Sequence, residues 1–170
     1  MSDQNTDLKH VSDDALKEMV MIQNRIKQLG VKEKSQTDFI EYVKHVWDGF
    51  IEGEHHKLFA EKLERVAQGK CKRLIVNMPP RHTKSEFASV FFPSWIMGLN
   101  PDMKIMQTTH TAELSARFGR KVRNLMDTDE YKQIFDKVSL SADSKSAGRW
   151  ETNKGGEYFA AGVGGAITGR

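Results

Sequence analysis

The chain has 170 residues, 38% of them hydrophobic and 29% charged, and a formal net charge of +3. This length and balance fit a globular chain with a real core and exclude wholesale disorder; no apolar run approaches the roughly 18 residues of a membrane-spanning helix. The single cysteine, Cys71, excludes an intramolecular disulfide and suits a reducing compartment, and one Cys with six scattered His gives no zinc-site spacing.

The polar start, MSDQNTDLKH, predicts a flexible tail over residues 1–11 with no secretory leader. A helical segment is predicted over 12–53. Ser12 is a good N-cap, Asp13 and Asp14 suit the positive end of a helix dipole, and Leu16, Met19, Val20, Ile26 and Leu29 recur at helical spacing up to a C-capping Gly30. A second helix is expected to start near Ser35, with Asp38 three residues on. Its apolar stripe is Phe39, Val43, Val46, Trp47 and Phe50. A third is expected over Glu54 to Gln68, with Phe59, Leu63 and Val66 facing inward and Gly69 as its stop.

The pattern then changes. Leu74, Ile75 and Val76 form a continuous apolar run that suits a strand buried on both faces, ended by Pro79 and Pro80. A helix from about Lys84 carries Phe87, Val90, Phe91, Trp95 and Ile96, with Pro93 expected to kink or end it. A strand at Lys104 to Thr108 and a helix from Thr111 to Met126 follow, the helix with Leu114, Phe118, Val122 and Leu125 inward. Short strands are expected at Trp150 to Thr152 and Tyr158 to Ala161 around Gly155-Gly156, before a glycine-rich flexible end from Gly162. Strand, helix, strand, helix implies an α/β fold with a parallel sheet and crossover helices.

The segment RLIVNMPPRHTKS, Arg73 to Ser85, carries the chemistry. A strand, a tight loop and then Lys-Ser opening a helix is the arrangement that binds a nucleoside triphosphate. Unpaired helix-start N–H groups face the phosphates, Lys84 reaches the β- and γ-phosphates, and the Ser85 hydroxyl ligates Mg²⁺. Pro80, Arg81, His82 and Thr83 would complete the cradle. Aligned on the Walker A pattern, Met78 and Thr83 stand where the two glycines belong. A plain strand-to-helix turn, with Lys84 solvated and Ser85 capping, therefore stays open on spacing alone.

MPPRHTKSE followed by FASVFFPSW resembles the ATPase domain of the large terminase subunit of tailed bacteriophages. FIEGEHHKLFAEKLERVAQGKCKRLIVN, GRKVRNLMDTDEY and GRWETNKGGEYFAAGVGGAITGR are similar to neighbouring segments of that domain, so the resemblance runs from about Phe50 to Arg170. It implies a P-loop NTPase-like domain over 54–170. It also implies an ATP- and Mg²⁺-dependent motor that drives double-stranded DNA through a portal protein into a procapsid. The motor works with a small terminase subunit, as a homo-oligomeric ring in the host cytoplasm. Arg81 matches the family's Arg before the Lys and would stabilise charge on the γ-phosphate, a solvated or surface-paired Arg being the other reading; His55 or His56 would contact adenine, a capping or surface role being the other reading. Arg117, Arg120 and Lys121, spaced i, i+3, i+4 on one helix face, would touch DNA or a neighbouring subunit, a solvated face being the other reading.

A strand ending in an acidic pair, which such an ATPase needs, is not found in the sequence, nor are a nuclease domain's clustered carboxylates. The expectation is an incomplete sheet, in a truncated or split chain that binds ATP weakly and turns it over poorly. Another P-loop motor such as a helicase is the second enzyme reading, and a non-catalytic interaction module built on the N-terminal helices the third. The charge distribution is compatible with a polyanion partner, ordinary solubility being the equally open reading: residues 1–70 carry 11 basic and 13 acidic side chains, whereas 71–170 carry 15 and 10.

Overall fold

The structure is a computed structural model that describes residues 13–142 and 146–164. The expected tail over 1–11, the Ser12 cap and most of the glycine-rich end lie outside the described residues.

Helix α1 spans Asp13–Thr37 and runs straight through Gly30, which was expected to end it. Tertiary bonds beyond that point outweigh the cost of an internal glycine, about 1 kcal/mol. Lys32 pairs with Asp136 at 2.9 Å, Gln36 Nε2 donates to the Ile134 carbonyl at 2.8 Å, and the buried Ser35 offers its carbonyl to the Trp95 indole N–H at 2.8 Å. The second helix, α2 (Phe39–Val46), therefore starts later than Ser35. Its N-cap is Asp38, whose carboxylate accepts the Glu41 N–H at 3.0 Å. Helix α3 (Glu54–Ala67) buries Phe59 and Leu63 as expected. It ends where Gly69, at φ +70°, lets the Lys70 and Cys71 amides turn back onto the Arg65 carbonyl.

Residues 73–79 correct the next expectation. They take no regular secondary structure, and among the described residues no strand pairs with them. Leu74, Val76 and Met78 lean on the core, while Ile75 stands 88% exposed, so the run is not buried on both faces. Its apolar content was legible, but a ladder also needs a neighbouring backbone, and none of the three strands present lies beside it.

From Lys84 the chain winds continuously to Leu99 as α4 (Lys84–Glu86), a π turn (Phe87–Phe91) and α5 (Phe92–Leu99). Pro93 does not end it. The proline ring would crowd a carbonyl in a regular helix, and the turn just before it is widened, the Phe92 N–H reaching back to the Phe87 carbonyl. Phe87, Val90, Phe91, Trp95 and Ile96 are all buried.

Strand β1 (Lys104–Thr109) leads into α6 (Ala112–Met126), then α7 (Asp129–Ile134), β2 (Arg149–Glu151) and β3 (Glu157–Gly162). The sheet order is β1-β3-β2, with β1 parallel and β2 antiparallel to β3. The fold is thus mixed α/β, mostly helical, with one small mixed sheet. Its parallel character is confined to the β1–β3 pair. Helix α6 covers that pair, but through Ser115, Gly119, Val122 and Met126. Leu114, expected inward, is 38% exposed.

The core joins α2, α3, the π turn, α5, α6 and α7. Most of its buried polar groups are satisfied, as burial demands, the Tyr158 hydroxyl and His45 Nε2 being the two buried side-chain atoms left without a partner among the described residues. Ser94 Oγ donates to the Phe91 carbonyl at 2.8 Å and so accepts from the Tyr42 hydroxyl at 2.6 Å. Tyr131 donates to the Ser94 carbonyl at 3.1 Å. Trp150 stacks on Tyr158 with centroids 4.9 Å apart and donates to the Gly119 carbonyl at 3.1 Å.

Candidate functional site

The loop between the 73–79 run and α4 carries the candidate chemistry. Two non-glycine residues in it have left-handed backbones, Arg81 at φ +64° and Thr83 at φ +57°. For such residues this region costs roughly 1–2 kcal/mol each. Thr83 thus adopts, without being glycine, the conformation that a glycine before Lys-Ser would supply freely. It is followed directly by the right-handed turn of α4, and an αL residue beside helical ones turns successive N–H groups toward one concavity. The first helical bond runs from the Phe87 N–H to the Thr83 carbonyl at 3.0 Å. The N–H groups of Lys84, Ser85 and Glu86 precede it and have no partner within the helix.

Thr83 is held from behind. The Gly53 N–H donates to His56 Nδ1 at 3.0 Å. Nδ1 is therefore unprotonated, and Nε2 carries the hydrogen that it donates to Thr83 Oγ1 at 2.7 Å. Thr83 Oγ1 donates onward to the His82 carbonyl at 2.7 Å, and His82 Nδ1 donates to the Pro80 carbonyl at 2.9 Å. The His56 ring is buried, stacked on Phe87 at 5.1 Å and edge-on to Phe50 at 4.9 Å. His55 is exposed, its ring centroid 3.8 Å from that of His56 and 5.5 Å from that of His82.

Burial, reinforced by His55 and His82 and opposed by Glu52, holds His56 below the usual imidazole range. The unfolded chain therefore binds a proton at a higher pH than the fold does, and stability is lost on acidification below the unfolded value of about 6.5. The chemistry agrees, because a protonated Nδ1 cannot accept the Gly53 N–H. Urea midpoints should fall between pH 7.5 and 5.5, with a shallower fall in His56→Gln. Equal slopes in the two proteins would show that His56 does not titrate this way.

In front of the loop lies an open depression of about 410 Å³ lined by Val76, Asn77, Met78, Pro79 and Lys84. Lys84 makes no ion pair among the described residues. Its ammonium has only a long 3.4 Å contact with the Pro79 carbonyl. Arg81 and Ser85 are exposed. The structure thus brings Pro80, Arg81, His82, Thr83, Lys84, Ser85, His55 and His56 together. On α6, Arg117 and Arg120 are exposed, whereas Lys121 is half-buried and paired with Glu86 of α4. Sequence reasoning missed that pair, the link from Gln107 Nε2 to Ser89 Oγ at 3.0 Å, and the role of Phe87 beneath His56.

Among the described residues no three His, Cys, Asp or Glu side chains cluster as a metal site. A more enclosed hollow of about 320 Å³, bordered by Arg25, Lys32, His45 and Lys132 among others, includes none of the loop residues. No helix among the described residues is long and apolar enough to cross a membrane. No protein-family model, curated protein or solved structure matches the chain.

Proposed function

We propose that the loop from Met78 to Ser85 holds the triphosphate of Mg-ATP, and that the chain is the ATP-binding part of a terminase-like motor for double-stranded DNA. The observation that carries this reading is Thr83 in the left-handed region, bonded to a buried His56 and opening directly onto Lys84 and Ser85. A costly backbone conformation braced by a buried side chain is the mark of a functional loop. The amides after Thr83 donate to phosphate oxygens, whose charge the half-buried Lys84 neutralises. Arg81, free of protein partners among the described residues, swings toward the terminal phosphate. The exposed Ser85 hydroxyl would hold Mg²⁺, whose charge would offset that of the β- and γ-phosphates.

His56 acts in this reading as a positioning residue, since its Nε2 is committed to Thr83. His55, exposed beside His82, is the ring left to meet a base. Arg117 and Arg120 are the cations offered to DNA, while Lys121 joins α6 to the helix that follows the loop. The portal protein, the small terminase subunit and a ring of copies are the partners this reading entails.

Mg-ATP should raise the unfolding temperature of the full chain in a dose-dependent way, because a ligand that binds only the folded state stabilises it by mass action. AMP, lacking the outer phosphates, should have much less effect. No shift at millimolar Mg-ATP would sink the proposal.

A further inference from the structure

The first two-thirds of α1 touches little of the body, Arg25 and Leu29 near its end bordering the hollow shared with α7. Every residue from Leu16 to Gly30 is exposed, and half-burial begins at Val31. That stretch extends over 20 Å at about 1.5 Å per residue, and an isolated helix of such length is marginal in water. Yet it carries large apolar side chains: Met19 is 52% exposed, Ile22 52%, Ile26 64% and Leu29 50%. These four alternate at spacings of three and four, and Ala15 continues the series. At about 100° per residue they fall within a stripe roughly 80° wide, the width of a two-helix seam, while Leu16, Val20 and Met21, 49%, 54% and 65% exposed, lie outside it.

The flank of that seam says what covers it. Glu18 and Arg25 lie on the same side, one heptad apart, and neither makes an ion pair among the described residues. When two such helices run antiparallel with Met19 of one copy against Ile22 of the other, Glu18 of each copy faces Arg25 of the other, and Ile26 packs over the small Ala15. The contact is self-complementary about a two-fold axis. Run parallel, Glu18 would face Gln23 and Arg25 would face Gly30, with no charge matched. The antiparallel arrangement also places the two bodies, attached at the C-terminal ends of their α1 helices, at opposite ends of the coil.

We propose that α1 pairs two copies of this chain as an antiparallel two-helix coil built on Met19, Ile22, Ile26 and Leu29. The pairing is independent of the nucleotide reading. Sedimentation equilibrium on the full chain at micromolar concentrations should find a dimer. Ile26→Lys should give a monomer whose near-ultraviolet dichroism, reporting the aromatic core, is unchanged. Glu18→Arg and Arg25→Glu should each weaken the dimer roughly tenfold, from two flanking pairs turned repulsive, and the double reversal should restore it. A chain that stays monomeric at about 100 µM, a dimer indifferent to Ile26→Lys, or single reversals without effect would each overturn the proposal.

Discussion

In Lys84→Ala, most of the thermal stabilisation conferred by Mg-ATP is expected to disappear while the stability of the free protein hardly changes. The free protein loses little because Lys84 makes no ion pair among the described residues and only a 3.4 Å contact with Pro79. A substitution away from packed or paired groups shifts stability by only about 0.5 kcal/mol. The bound state loses much more. A hydrogen bond to a charged group is worth about 1.5–3 kcal/mol, or roughly 10- to 100-fold in affinity. At ligand one hundred times the dissociation constant, stabilisation is about 2.7 kcal/mol, and a tenfold or larger loss of affinity roughly halves it or worse. Differential scanning fluorimetry of both proteins across a Mg-ATP titration reads this directly. Equal shifts in the two would mean that the ammonium does not meet the nucleotide.

Phe87→Ala is expected to cost about 3–5 kcal/mol, the range for emptying a packed aromatic site. Phe87 has no exposed surface. It stacks on Phe59 at 5.8 Å and His56 at 5.1 Å, and meets Phe39 edge-on at 5.6 Å. Five of its neighbours are rings, Phe39, Phe50, His56, Phe59 and Phe91, spread over several elements and the loop after α2, so they are poorly placed to collapse into the space it leaves. Against a total of about 5–15 kcal/mol for a typical domain this is a large share. Urea unfolding should show a much lower midpoint at an unchanged m-value. The effect should also reach the loop, because His56 rests on Phe87 and holds Thr83. A loss below about 1.5 kcal/mol, the range of well-tolerated core swaps, would mean that Phe87 is not the packed centre described.

Where caps and periodicity act locally, the fold was legible. Helix α3, strand β1 and the strands around Gly155-Gly156 lie within a residue or two of where spacing and turn chemistry put them. Helix α6 was placed correctly and Val122 is buried as expected, but its first turns were read one position out of phase. Hydropathy pointed to Leu114 and Phe118, whereas the tight contact with β3 is made by small residues that give no hydropathy signal. Ser115 donates to the Ala161 carbonyl, and a side chain at Gly119 would meet the Ala147 carbonyl. The 74–76 run and the passage through Gly30 were misread for the converse reason, since each depends on what lies opposite in space. In the site, Lys84-Ser85 was visible as spacing. The left-handed Thr83 was not, because a β-branched residue is a poor candidate for that region. Nor was the reach of His56, 27 residues earlier in the chain.

The widened turn at Phe87–Phe91 sets the azimuth of everything before it. A regular α-helix rotates about 100° per residue, so the one extra residue held there leaves Lys84 and Ser85 roughly a quarter-circle from where an unbroken screw anchored at Trp95 and Met97 would carry them. The buried end of the helix and its cation-bearing end are thus indexed separately. Shortening the chain by one residue between them would keep Trp95 seated while swinging Lys84 away from Asn77 and Met78, so this stretch tolerates changes of side chain far better than changes of length.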